Sequence, residues 1–124
     1  RGLRSMRLNV AGAFHSPLMG PASEKLRNLL EDMPISQPSL PLYANMTALP
    51  YAPGQEADTL AGQLAAPVLW EQTVRTMVRD GADTFVEVGP GKTLSGLIQK
   101  IDPNVRTYNA CDLPTLAALK EAFL

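Results

Sequence analysis

Apolar and polar positions along this chain alternate between two periods, and the switches between them lay out the elements. Met6 to Ala11 has strand composition, with Leu8 and Val10 on one face. A helix is expected at about 21–33, its apolar residues Ala22, Leu26, Leu29, Leu30 and Met33 facing a core. Glu24, Lys25, Arg27, Glu31 and Asp32 form the opposite, solvated face. Pro34, Pro38 and Pro41 hold 34–41 extended, because each blocks helix and restricts the residue before it. Leu42 to Asn45 reads as a short strand, and 46–55, with Pro50, Pro53 and Gly54, as a loop. A second helix is predicted over 56–66 from Ala57, Leu60, Ala61 and Leu64, stopped by Pro67.

The clearest amphipathic stripe follows at 69–80, where Trp70, Thr73, Val74, Met77 and Val78 share a side and Gly81 supplies the C-terminal cap. Thr84 to Val88 is a nearly continuous apolar run, as in a parallel strand covered on both faces. The Gly89-Pro90-Gly91 turn leads into a helix at 93–101 with Leu94, Leu97, Ile98 and Ile101 inward. Val105 to Asn109 is a further strand, and Asp112 can cap a last helix over 113–123. Strands alternating with helices predict an α/β fold: part of a mostly parallel sheet flanked by helices.

Composition narrows the function classes. Hydrophobic residues at 45% and charged residues at 19% describe a folded globular chain. A net charge of −1 provides no basic field for nucleic acid or an anionic membrane. No apolar run approaches the ~18 residues of a membrane span. Cys111 is the sole cysteine, which excludes an intrachain disulfide and a cysteine-rich zinc site and suits a reducing, cytoplasmic compartment.

Chemistry concentrates in Gly12-Ala13-Phe14-His15-Ser16-Pro17-Leu18-Met19, which holds the only histidine. Ser16-Pro17 reads as a helix start: the hydroxyl can cap free N–H groups, and proline loses nothing at the first helical position. His15 therefore stands in a loop between a strand and a helix, where its side chain can face a cleft and serve as a general base. A structural, hydrogen-bonded histidine is the competing reading.

The other polar candidates read as structural. Ser16 has its capping role, Ser95 falls inside a predicted helix, and Cys111 has no neighbour in sequence that would lower its pKa. Gly89 to Thr93 imitates a phosphate loop, but it lacks the first glycine and spacing, and Pro90 removes an N–H. Glu87 is expected to satisfy backbone donors or a basic partner. Asn45, at the C-terminal end of a predicted strand, is either a turn residue or part of a site.

Gly12 to Met19, read with Glu87-Val88-Gly89-Pro90-Gly91-Lys92-Thr93-Leu94-Ser95-Gly96-Leu97, resembles the malonyl-CoA:acyl carrier protein transacylases, from about Ser5 to the C-terminus. The related acyltransferase domains of multifunctional synthases share the histidine and usually lack the Gly-Pro-Gly-Lys turn. The family's serine nucleophile lies in a Gly-x-Ser-x-Gly elbow, and that pattern is absent from these 124 residues.

The resemblance implies the C-terminal portion of an α/β-hydrolase-like large subdomain over 11–124. Residues 1–10 would close a small ferredoxin-like subdomain and link it to the large one. It implies His15 as general base, Asn45 near it as a substrate-binding residue, and Gln63 as the residue that orients the histidine. In a helix the carbonyl of residue 63 would accept from the N–H of residue 67, and Pro67 has none; the backbone carbonyl is thus the expected agent. The implied reaction moves malonyl from malonyl-CoA to the phosphopantetheine thiol of acyl carrier protein, with no metal or further cofactor. The implied partners are acyl carrier protein and an N-terminal portion carrying the serine, so the isolated chain is expected to be inactive. Arg75 and Arg79, on the solvated face of a helix, are not the arginine that selects malonate. Two other readings stand beside this one: an acyltransferase domain of a multifunctional polyketide or fatty acid synthase, and a non-catalytic carrier-protein docking fragment.

Overall fold

The computed structural model describes residues 10–123 and divides into two compact units. One comprises Pro50–Val68 with the described residues up to Met46; the other comprises Thr47–Leu49 and the residues from Leu69 onward. The expected strand over Met6–Ala11 and the subdomain expected over 1–10 fall almost wholly outside the described residues.

In the first unit Ser16 accepts from the Leu18 N–H at 3.3 Å and opens a 3-10 turn, Pro17–Met19. Helix α1 (Gly20–Glu31) follows, with Pro21 in its first turn. It packs on helix α2 (Glu56–Gly62) through small groups: buried Ser23 donates to the Ala61 carbonyl at 2.7 Å, and Ala61 is fully buried. That contact covers only a narrow stripe of α1. Leu29 and Met33, expected inward, are 62% and 51% exposed, and the helix ends before Met33.

The strand expected over 42–45 is instead a single antiparallel bridge, Tyr43 to Pro50, beside a Tyr51 N–H to Leu42 carbonyl bond of 2.8 Å. Pro41 and Pro50 have no N–H to extend a ladder. Helix α2 also stops at Gly62, short of residue 66. Its end tightens into 3-10-type bonds from Leu64 N–H to Ala61 and from Ala65 N–H to Gly62. Ala66 precedes Pro67 and is disfavoured in the helical region, which ends the helix early.

The second unit begins with helix α3 (Trp70–Arg79). The Gly81 N–H donates to Val78 and the Ala82 N–H to Met77, with Gly81 at φ 106°: a Schellman cap that requires the glycine. Strand β1 (Thr84–Val88), helix α4 (Thr93–Ile101) and strand β2 (Arg106–Ala110) form a parallel βαβ unit, with Val86 opposite Tyr108. Val74, Ile98 and Val105 are the buried centre, and Trp70, Val78, Phe85 and Ile101 pack around it.

Helix α5 (Leu113–Phe123) returns along β2, where Phe123 meets Tyr108 edge-to-face at 5.3 Å. It leaves part of the sheet open. Val88 is 81% exposed, so β1 is not covered on both faces as its apolar run predicts. Leu94 and Leu97, also expected inward, are each about two-fifths exposed, and only Ile98 of α4 is buried. A two-stranded sheet is too narrow to bury the whole apolar face of its crossover helix. Among the described residues, no helix is long and apolar enough to cross a membrane.

Candidate active site

His15 sits at φ 57°, in the left-handed region that few residues with a Cβ adopt. Such a conformation costs about 1–3 kcal/mol and persists only where surrounding bonds hold it. Two successive carbonyls beyond α2 do so. The His15 N–H donates to the Leu64 carbonyl at 3.1 Å, and His15 Nδ1 lies 2.9 Å from the Gln63 carbonyl oxygen. A carbonyl can only accept, so this bond requires the proton on Nδ1 and leaves Nε2 of the neutral ring with its lone pair free. The residue itself is exposed, with Phe14 and Leu18 beside it in sequence also open to solvent.

The Gln63 carbonyl is available because α2 has already ended at Gly62, with Gln63 as its C-cap. This refines the expectation drawn from Pro67. The missing N–H forbids continuation, but the carbonyl is released by the earlier unwinding. The Gln63 side chain is also engaged: Oε1 accepts from the Asn45 N–H at 3.2 Å. Partial burial pushes the Tyr51 phenol above its ordinary pKa, and the nearby Gln63 carboxamide opposes that rise.

Asn45 is brought to Gln63 by its backbone rather than its carboxamide. Its Oδ1 is buried and has no hydrogen-bond partner among the described residues. Nothing in the sequence marks Tyr51 or Leu64 as a neighbour of the site. Tyr51 follows Pro50 in a loop without periodicity, and a backbone acceptor such as Leu64 leaves no side-chain signature.

In the second unit, Glu87 and the turn that follows it take up structural roles. Glu87 accepts from the Leu94 N–H at 3.2 Å, the Ser95 N–H at 2.8 Å and Ser95 Oγ at 2.7 Å. These bonds hold its carboxyl below the usual carboxylate range, those from Ser95 most strongly. The free amides at the start of α4 thus already have an acidic partner within the chain, which removes the phosphate-loop reading.

Gly89 and Gly91 adopt φ 126° and 98°, and Asn109 Nδ2 pins the turn by donating to the Gly91 carbonyl at 2.7 Å. Ser16 Oγ donates to the Ala13 carbonyl at 2.7 Å, so both serine hydroxyls are spent on local structure. Cys111 is exposed, against the small apolar role expected of it, because it lies beyond the end of β2 where little packs. Arg75 pairs with Glu71 at 2.8 Å on the solvated side of α3. No group of three or more metal-ligating side chains occurs among the described residues.

No protein-family model matches the chain. Individual proteins do. The malonyl CoA-acyl carrier protein transacylase of Bacillus subtilis is 36% identical over 114 residues, which cover 91% of this chain and 36% of that protein. The crystal structure of MCAT from Streptococcus pneumoniae superposes with a TM-score of 0.89 at 35% identity, over 94% of this chain and 38% of that one. The chain matches the malonyl-CoA:acyl carrier protein transacylases. Its helices and small parallel sheet are those of a transacylase-like α/β fold. A type II polyketide malonyl-transacylase, solved in complex with its holo acyl-carrier protein, matches at 29% identity and a TM-score of 0.86, over 93% of this chain and 38% of its own. The chain spans little more than a third of the length of these relatives.

Proposed function

We propose that this chain supplies the histidine base of a malonyl-CoA:acyl carrier protein transacylase whose nucleophilic serine lies in sequence outside these residues. The observation that carries the reading is the 2.9 Å contact between His15 Nδ1 and the Gln63 carbonyl. It fixes the tautomer a base needs and places partial negative charge where an imidazolium would form.

The steps follow from that arrangement. His15 Nε2 takes the serine hydroxyl proton as the oxygen attacks the thioester carbonyl of malonyl-CoA. The tetrahedral adduct expels the coenzyme A thiolate, which receives the proton from Nε2–H and leaves a malonyl ester on serine. The pantetheine thiol of the carrier protein then gives its proton to Nε2 and attacks that ester. Serine leaves and regains the proton. Atoms and charge balance without metal or further cofactor, and the exposed free thiol of Cys111 suits a cytoplasmic setting.

Leu18, Val88 and Leu113 are 78%, 81% and 81% exposed. In this reading these side chains pack against the part of a transacylase that the chain does not span. A polyketide carrier protein is the second reading for the acyl acceptor, favoured by the match to the polyketide transacylase complex.

The test is a chimera in which this chain replaces the matching segment of the Bacillus subtilis transacylase. Mass spectrometry of holo acyl carrier protein incubated with malonyl-CoA should show malonylation. A folded chimera that leaves both fatty acid and polyketide carrier proteins unmodified contradicts the assignment.

A further inference from the structure

Helix α2 leaves its regular register sooner than Pro67 demands. The proline restricts Ala66, which stops the helix at residue 65 at the latest. In a continuing helix the Ala65 N–H would donate to the Ala61 carbonyl, four residues back. It donates instead to the Gly62 carbonyl at 3.1 Å, while the Leu64 N–H reaches Ala61 at 3.3 Å. The Ala61 oxygen has a second donor from outside the helix, Ser23 Oγ at 2.7 Å. A carbonyl oxygen offers two lone pairs, and these two donors use both. Ser23 is the residue of α1 that is buried, and its hydroxyl crosses to α2 where a serine within a helix commonly bonds back to its own.

We propose that Ser23 is a positioning residue for His15, acting through the Ala61 carbonyl that it occupies. With that oxygen taken, the Ala65 N–H is turned to Gly62 and the chain tightens into the 3-10 register. The peptide between Gln63 and Leu64 is set by this turn, since its N–H is the one bonded to Ala61. The two carbonyls that the turn presents are those that hold His15, Gln63 on Nδ1 at 2.9 Å and Leu64 on the backbone N–H at 3.1 Å. Ser23 acts from the histidine's side as well. It follows His15 by eight positions, through the 3-10 turn Pro17–Met19 and the start of α1. That segment is therefore seated on the end of α2 at both its ends. Ser23 touches no reacting atom. The inference rests on the proposed role of the Gln63 carbonyl, and the experiment separates the two.

His15 is the only histidine, so the imidazole nitrogens of the 124-residue chain give one set of NMR signals. Their shifts report which nitrogen carries the proton. For the unaltered chain the neutral ring should be the Nδ1–H form. A dominant Nε2–H form there would overturn the role of the Gln63 carbonyl itself. Ser23→Ala, which removes one oxygen, should lower the Nδ1–H to Nε2–H ratio about fivefold, the effect of one ordinary hydrogen bond. The Cα shifts of residues 63–65 should move to helical values at the same time, as the Ala65 N–H takes the vacated lone pair of Ala61. Ser23→Cys, similar in size and a weaker donor, should fall between the two. A ratio unchanged in Ser23→Ala overturns the positioning role while leaving the carbonyl's intact. A lowered ratio without helical shifts at 63–65 also overturns it, since the hydroxyl would then act by packing alone. If Ser23→Ala loses its dispersed amide spectrum, Ser23→Cys decides by the same two readings, and a ratio equal to that of the unaltered chain overturns the role.

Discussion

His15 and Gln63 stand 48 positions apart, and the ring Nδ1 of one is 2.9 Å from the backbone oxygen of the other. A carbonyl in this place can hold a proton on Nδ1 as the carboxylate of a Ser-His-Asp triad does, without adding a full negative charge beside the base. The bond depends on where a helix ends, so it is sensitive to changes that never touch the imidazole.

Gln63→Ala keeps the backbone oxygen and loses the side-chain bond from the Asn45 N–H. In the chimera it should lower malonyl transfer by about 5–30-fold, the effect of one or two hydrogen bonds, with KM little changed. A loss as large as that from removing His15 would assign the chemistry to the glutamine side chain.

Pro67→Ala works from the other side. It gives position 67 an N–H and relieves the restriction on Ala66, so α2 can extend and take the Gln63 carbonyl into its own ladder. Transfer should fall below that of Gln63→Ala, with a gain in helix by circular dichroism. Unchanged turnover would show that the Leu64 and Ala65 turn bonds alone end the helix.

The sequence made the second unit legible almost residue by residue. Thr84–Val88, Thr93–Ile101 and Leu113–Phe123 fall where periodicity and turn chemistry put them, and strand β2 differs from 105–109 by one residue at each end. Local signals suffice there because Gly81, Gly89 and Asp112 mark the boundaries. The first unit was less legible. A strand over 42–45 needs donors that Pro41 and Pro50 lack, and α1 seats Ser23 on Ala61 instead of its leucine stripe. Of the site, the His15 loop and the Gln63 carbonyl could be argued from a family resemblance and a missing N–H. The bond from the Asn45 N–H to the Gln63 side chain could not, because a contact made across a loop has no sequence period.

Acid should loosen the second unit first. Glu87 and Asp112 are both held below their ordinary pKa by hydrogen bonds into helix N-termini, from Ser95 and Thr115 respectively. Each contributes stability that is present above the unfolded carboxylate pKa and is lost as pH falls through the lower folded value. Thermal unfolding followed from pH 7 to pH 3 should show a falling midpoint, and Glu87→Gln should flatten part of that dependence. An unaltered pH profile in the variant would remove Glu87 from the account.

The chain by itself should form no acyl-enzyme. Ser16 and Ser95 donate to the Ala13 carbonyl and to Glu87, and neither is aimed at His15 by any hydrogen bond among the described residues. Incubation with radiolabelled malonyl-CoA should leave no hydroxylamine-sensitive label. A malonyl ester mapped to either serine would place the nucleophile inside this chain.

The most direct test of His15 as the base is malonyl transfer by the chimera carrying His15→Ala. The expected loss is about 10²–10⁴-fold in kcat, the range for a positioned general base, with cooperative unfolding retained because an exposed loop imidazole supports little packing. Near-normal turnover by the folded variant would contradict the account and return His15 to a structural role.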